Sequence, residues 1–229
     1  MTNDFPAAVI FDLDGTLVDS AFDLTGALNF VLRSENRPPV PLAAVRHMVG
    51  RGARVLIENG MAATGAAATE DDIARLLPLF LDYYSDHVAD ESILFPGARA
   101  VLLELAEANV RLGICTNKPI SLTHQLLRAL QIDDLFPAVL GGDSLPFRKP
   151  DPRHILETLR LLDIPATKAV MVGDSIHDIE AAKKAPMLVI GVTFGYSETP
   201  VADLLPDAVI DAYADLPAAL RLLTKDRVF

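Results

Sequence analysis

Six short β-like runs, mostly apolar and three to six residues long, recur along the chain, and most break off into polar residues or glycine. They are Ala7 to Phe11, Val110 to Cys115, Ala138 to Gly141, Ala169 to Val172, Leu188 to Val192 and Ala208 to Ile210. Short runs rich in Val and Ile suit strands buried on both faces. From Val110 onward they alternate with helical patterns at Ile120 to Leu130, Pro152 to Leu162, Ile176 to Lys184 and Ala214 to Leu223. Such alternation predicts an α/β fold built on a doubly wound parallel sheet. Ligands in these sheets bind beyond the carboxyl ends of the strands. The polar residues that end the runs are therefore the first place to look for chemistry.

One stretch breaks the alternation. Between about Ser20 and Phe95 there is no strand pattern, only helical ones at Ala21 to Leu32, Ala43 to Asn59 and Glu70 to His87. The Ala-rich stretch from Met61 to Thr69 reads as a connection between helices, and Pro96-Gly97 marks the return to the sheet. The expectation is a Rossmann-like core of residues 1–19 and 96–229 with an α-helical cap domain, residues 20–95, inserted into it. Hinges are expected near Val18 to Phe22 and Ile93 to Gly97.

At 229 residues the chain is long enough for one substantial core. Its net charge of -11 opposes nonspecific binding to nucleic acid or an anionic membrane. An anionic substrate would need a local cluster of cations or backbone N–H groups. The single Cys115 excludes an intrachain disulfide and a multi-cysteine zinc site. Residues 1–6 lack the basic region of a signal peptide and no segment approaches a membrane span, so a cytoplasmic enzyme is expected.

The first run ends in Asp12-Leu13-Asp14-Gly15-Thr16. Two carboxylates at the mouth of a buried strand are costly without a metal, a proton or a phosphoryl group nearby. As residues i and i+2 they could face one site, with Asp12 the candidate nucleophile. An ordinary turn is the plain alternative. A calcium loop is not, because its sixth and twelfth positions hold Leu17 and Asp23 instead of Gly and Glu. The second run delivers Thr116-Asn117-Lys118-Pro119 ahead of a helix, where a hydroxyl and free N–H groups make an anion site or a simple cap. Lys149, in Arg148-Lys149-Pro150-Asp151-Pro152, is placed to meet a phosphate as a point charge, or else is a surface lysine. The fourth run ends in Gly173-Asp174-Ser175-Ile176-His177-Asp178, whose two carboxylates lie one helical turn apart. Together these supply an acidic cluster suited to Mg2+ beside hydroxyl and lysine groups suited to an anion.

In these residues the chain resembles the haloacid dehalogenase superfamily, in its phosphatase branch. Asp12 to Thr16 matches the first motif, Thr116 the second, Lys149 the third, and Gly173-Asp174 with Asp178 the fourth. The runs around them are similar to those of the phosphoglycolate phosphatases. One departure is Ala185-Pro186-Met187, where that group usually carries Ala-Gly-Met. The resemblance implies a Mg2+-dependent phosphate monoester hydrolase, a small phosphorylated metabolite as substrate, and a monomer or homodimer. It implies that Asp12 attacks phosphorus and that Asp14 serves as general acid and then base. Thr116, with the Asn117 N–H, and Lys149 would hold the phosphoryl oxygens. Asp12, the Asp14 carbonyl and Asp174 would hold the metal, with Asp178 in support. Arg51, between Gly50 and Gly52, is the candidate for a substrate carboxylate, or else a solvated corner. A sugar phosphomutase or pyrophosphatase shares the same core. A phosphate-sensing module would be expected to have lost Asp12, Asp14 or Lys149.

Overall fold

The computed structural model describes residues 5–225. Six strands form one parallel sheet: β1 (Ala8–Phe11), β4 (Arg111–Cys115), β5 (Ala138–Leu140), β6 (Ala169–Gly173), β7 (Leu188–Val192) and β8 (Ala208–Ile210). Their order is β5-β4-β1-β6-β7-β8, with β1 central and both neighbours in register, Phe11 facing Ile114 on one side and Val172 on the other. The chain winds outward from β1 through β4 to β5, then crosses back to β6. The crevice beside β1 is thus the point where the winding direction reverses. The doubly wound parallel sheet is present, and each expected strand lies within a residue of its apolar run.

Alternation along the strands sorts the core. Val9 and Phe11 of β1, with Val170 and Val172 of β6, join the larger core on one face. Ala8, Ile10, Ala169 and Met171 join a second core on the other. Helices α7 (Pro152–Leu162) and α8 (Ile176–Lys184) cover the second. Helices α5 (Ala98–Glu107), α6 (Ile120–Ala129) and α9 (Leu216–Lys225) cover the first. Local chemistry fixes where helices start. Asp151 accepts a hydrogen bond from the Arg153 N–H and Pro152 opens α7; Ser175 and Asp178 form a capping box on α8. Cys115, the last residue of β4, is fully buried in the second core, and burial pushes its thiol up to about 12.

Residues 21–86 form four helices, α1 (Ala21–Ser34), α2 (Leu42–Arg46), α3 (Ala53–Thr64) and α4 (Glu70–Asp86). α4 begins at a Thr69–Asp72 capping box. The single helix expected over Ala43 to Asn59 is two, because Gly50 (φ 104°) and Gly52 (φ 88°) turn the chain through conformations that a helix excludes. Two further elements were not expected. α5 follows Pro96-Gly97 directly, and a two-stranded antiparallel ribbon pairs β2 (Val18–Asp19) with β3 (Ile93–Leu94). The ribbon lies where the chain leaves and re-enters the sheet region, at the positions where hinges were expected. Asp23 of α1 accepts the N–H of Ser92 at 2.9 Å and its hydroxyl at 2.6 Å, tying the two passages together.

α8 ends in a Schellman-type turn, in which the Met187 N–H returns to the Ala182 carbonyl at 3.0 Å. The position such a turn gives to a left-handed residue holds Pro186, at φ 25°. A proline ring prefers φ near -65° and has no N–H to close the second bond of the motif. Pro186→Gly is therefore expected to stabilise the protein by roughly 1 kcal/mol after allowing for the added freedom of the unfolded chain. For a chain of this size that is a rise in Tm of about 2–4 °C, read by calorimetry.

Candidate active site

Asp12 is the first residue beyond β1, and its N–H still donates to the Val172 carbonyl at 3.0 Å. The carboxylate is thereby fixed at the carboxyl edge of the sheet, between β4 and β6. Lys149 reaches it from the loop before α7, and its ammonium is almost wholly buried. The Lys149 Nζ lies 2.9 Å from Asp12 Oδ1 and 2.6 Å from Asp178 Oδ1. The Asp178 contact is the better aligned hydrogen bond, and the ammonium bridges the two carboxylates. Burial would lower the lysine's proton affinity, but Asp12 and Asp178 hold it above the ordinary range.

Asp178 is held by Lys149 and, through its other oxygen, by the Ser175 N–H at 3.0 Å and hydroxyl at 2.6 Å. Asp174 accepts the Thr16 hydroxyl at 3.0 Å and the Tyr196 N–H at 2.7 Å. Oxygens of Asp12, Asp174 and Asp178 lie within 4.8 Å of one another. Burial, opposed by Lys149 and aided by Asp178, pushes Asp12 up to about 6; burial with Asp178 and Asp12 pushes Asp174 up to about 7. Two backbone passes give Asp174 its room. A Cβ on Gly195 would lie 2.2 Å from Asp174 Cβ, and one on Gly15, at φ 83°, would lie 2.7 Å from Asp174 Oδ2. Three buried carboxylates sharing a single ammonium form a set of hard oxygen ligands that fits a divalent cation such as Mg2+.

Asp14 lines the same cavity as Asp12, yet its side chain turns away from the acidic cluster. Its Oδ1 accepts the Ser20 hydroxyl at 2.6 Å, and Lys118 Nζ lies 3.0 and 3.2 Å from its two oxygens. The i, i+2 spacing therefore does not aim both carboxylates at the acidic cluster: β1 ends at Phe11, so Asp14 sits in the turn and not on the pleat. Lys118, also buried, donates to the Tyr84 hydroxyl at 2.6 Å. Thr116 Oγ1 accepts the Lys118 N–H at 3.2 Å. Of the free N–H groups expected here, Thr116's is taken by Leu140 and Ile120's by Asp143, while Asn117's has no acceptor among the described residues. The cavity, about 40 Å³, brings Asp12, Asp14, Thr116, Asn117 and Lys118 together under apolar walls.

Arg51 is exposed and does not line that cavity. It lines a neighbouring one of about 150 Å³ with Val55, Asn117, Arg148, Lys149, Pro150 and His177. Its loop still meets the site, because the Asn117 amide donates to the Gly50 carbonyl at 3.1 Å and to the Lys149 carbonyl at 3.1 Å. The structure adds Ser20, Tyr84, Lys118 and Tyr196 to the residues that the motifs mark. Lys118 alone carried a local signal, being a lysine in the loop after β4. Among the described residues no helix is long and apolar enough to cross a membrane.

Comparison with known proteins agrees with this geometry. A family model described as haloacid dehalogenase-like hydrolase matches residues 9–192. The phosphoglycolate phosphatase of Caulobacter vibrioides is 45% identical over 219 residues, which cover 95% of this chain and 92% of that protein. That of Agrobacterium fabrum is 43% identical, covering 92% of this chain and 91% of its own. Among solved structures, that of a predicted phosphoglycolate phosphatase from Haemophilus somnus gives a TM-score of 0.89 at 33% identity, covering 96% of this chain and 99% of that one.

A cation bound only by the folded state raises stability by mass action. Adding Mg2+ to the metal-free protein is expected to raise Tm in a saturable manner. Asp174→Asn, read in the same thermal titration, should lose most of that rise while remaining folded.

Proposed function

The chain belongs to the haloacid dehalogenase-like hydrolase family and is a phosphatase, and on that premise we propose that it hydrolyses 2-phosphoglycolate to glycolate and phosphate with Mg2+ as its metal. The observation that carries the chemistry is the Asp12 carboxylate, buried at the strand end beside the Lys149 ammonium at 2.9 Å. The names of the relatives support the choice of substrate.

In this proposal Asp12 attacks phosphorus and an aspartyl-phosphate forms as the bond to the leaving oxygen breaks. Asp14 gives that oxygen a proton, then takes one from the water that releases phosphate. To do so it exchanges its contacts with Ser20 and Lys118 for the leaving oxygen. The Thr116 hydroxyl and Asn117 N–H hold the phosphoryl oxygens, and Lys149 offsets their charge beside Asp12. Asp12, the Asp14 carbonyl oxygen and Asp174 would hold the cation, with Asp178 fixing Lys149 and supporting the cluster. A bound divalent cation supplies a Lewis acid that draws charge from the phosphoryl group. Leu24, Val49, Leu56, Phe80 and Leu122 keep the cavity poor in water. Residues 20–95 serve as a cap on the core of residues 1–19 and 96–229, a division supported by the side-by-side crossing of the chain in β2 and β3. Arg51 is the outer cation for an arriving anion. The site needs one chain only, so a monomer or a homodimer is compatible with it, and a buried free thiol suits the cytoplasm.

The test is kcat/KM for Mg2+-dependent phosphate release from 2-phosphoglycolate beside sugar phosphates, pyrophosphate and nucleotides. A clear preference for 2-phosphoglycolate is expected; equal or better turnover of another compound would remove that assignment. Replacing Asp14 with Asn separates its role from that of Asp12. With an alkyl phosphate kcat should fall by about 10²–10⁴-fold. With p-nitrophenyl phosphate, whose leaving group departs without a proton, the loss in the burst of nitrophenolate should be much smaller. Asp12→Asn should abolish turnover of both.

A further inference from the structure

We propose that Lys118 is the specificity-determining residue, its ammonium receiving an anionic group carried on the leaving side of the substrate. The proposal deepens the phosphatase assignment above and rests on it, since it takes the phosphoryl group to sit at Asp12. The leaving oxygen has to reach Asp14, and Lys118 Nζ lies 3.0 and 3.2 Å from the two Asp14 oxygens. In 2-phosphoglycolate the carboxyl carbon is two bonds from the ester oxygen. A carboxylate that close to Asp14 falls within reach of Lys118.

The lining of the cavity makes the choice selective. Lys118 is the one cation among the residues that line it, and much of the remaining wall away from the aspartates is Leu24, Val49, Leu56, Phe80 and Leu122. Arg51, the other candidate, lines the neighbouring cavity. When Asp14 turns to the leaving oxygen, the donors it held on Lys118 lose their acceptor. A buried ammonium without a counter-charge is costly. An anionic tail restores the counter-charge and a neutral one does not, so the site discriminates by what it leaves unpaired.

Tyr84, from α4, fixes the ammonium. Its hydroxyl accepts from Lys118 at 2.6 Å, and the ammonium also lies 4.4 Å from the centre of its ring. Tyr84 is itself fully buried between Lys118 and the helical core, so it is a positioning residue. Through it the 21–86 segment shapes the specificity of a lysine that lies in the loop after β4.

The experiment measures kcat/KM for 2-phosphoglycolate and for ethyl phosphate, which differs by lacking the carboxylate. The wild-type ratio of the two is compared with that of Lys118→Met and Tyr84→Phe. The wild type should favour 2-phosphoglycolate. Lys118→Met should lower the ratio by roughly 10- to 100-fold, the span expected for one charge-assisted contact, chiefly through KM for 2-phosphoglycolate. Tyr84→Phe should lower it by about 3- to 10-fold by the same route. If Lys118→Met slows both substrates by one factor, Lys118 only positions Asp14 and the proposal is overturned. Should Lys118→Met fail to fold, an unchanged ratio in Tyr84→Phe overturns it instead. A wild type with no preference over ethyl phosphate would overturn the 2-phosphoglycolate assignment itself.

Discussion

The architecture of the site depends on one buried ammonium. Lys149 lies between Asp12 and Asp178 at 2.9 and 2.6 Å, and nothing else in the cluster carries a positive charge that close. Without it, Asp12, Asp174 and Asp178 would be three buried carboxylates crowded together with no positive side chain between them. Removing one partner of a buried ion pair typically costs about 3–5 kcal/mol, a large share of the stability of any domain. The lysine is held in turn by its surroundings. Its carbonyl accepts the Asn117 amide, and Ser175 holds the far oxygen of Asp178. Segments that follow β1, β5 and β6 thus meet on one charge, and the loop after β4 holds the backbone that carries it.

The sheet explains why those loops meet at all. With β1 in the middle and the winding reversing beside it, the carboxyl ends of β1, β4 and β6 open on one crevice. Residues more than a hundred positions apart then become neighbours, as when the Thr16 hydroxyl reaches Asp174 at 3.0 Å. Room for this is made by omission of side chains, at Gly15 and Gly195. The second ring of contacts follows the same pattern. The Tyr196 N–H holds Asp174, while its hydroxyl donates to Asp19 at 2.6 Å and accepts the Ala21 N–H at 3.1 Å.

Much of this was legible in the chain because two signals coincide. Apolar runs mark the strands, and a charged or hydroxyl residue right after a run marks the crevice, so Asp12, Thr116 and Asp174 were identifiable without knowing what lay beside them. What escaped was too short, masked by a neighbouring signal, or too distant. The β2–β3 ribbon has two residues per strand, beneath any periodicity. α5 has apolar residues at Ala98, Val101, Leu102 and Leu105, a helical spacing that the turn signal just before it masked. Lys118 sits beside Asn117 in plain view, but its partners, Asp14 and Tyr84, come from other elements. No local pattern encodes that meeting, and a lysine in a loop is usually solvated.

Cys115 turns the same burial into something measurable. It is the only thiol of the chain, it closes the central strand pair beside Asp12, and its side chain has no access to solvent. Alkylating and oxidising reagents attack the thiolate, which this environment suppresses by both concealment and proton affinity. Any modification must wait for the sheet to come apart around β4. The rate at which a reagent consumes that one thiol is therefore a clock for opening of the molecule's centre, one that runs without a label, a cofactor or a substrate.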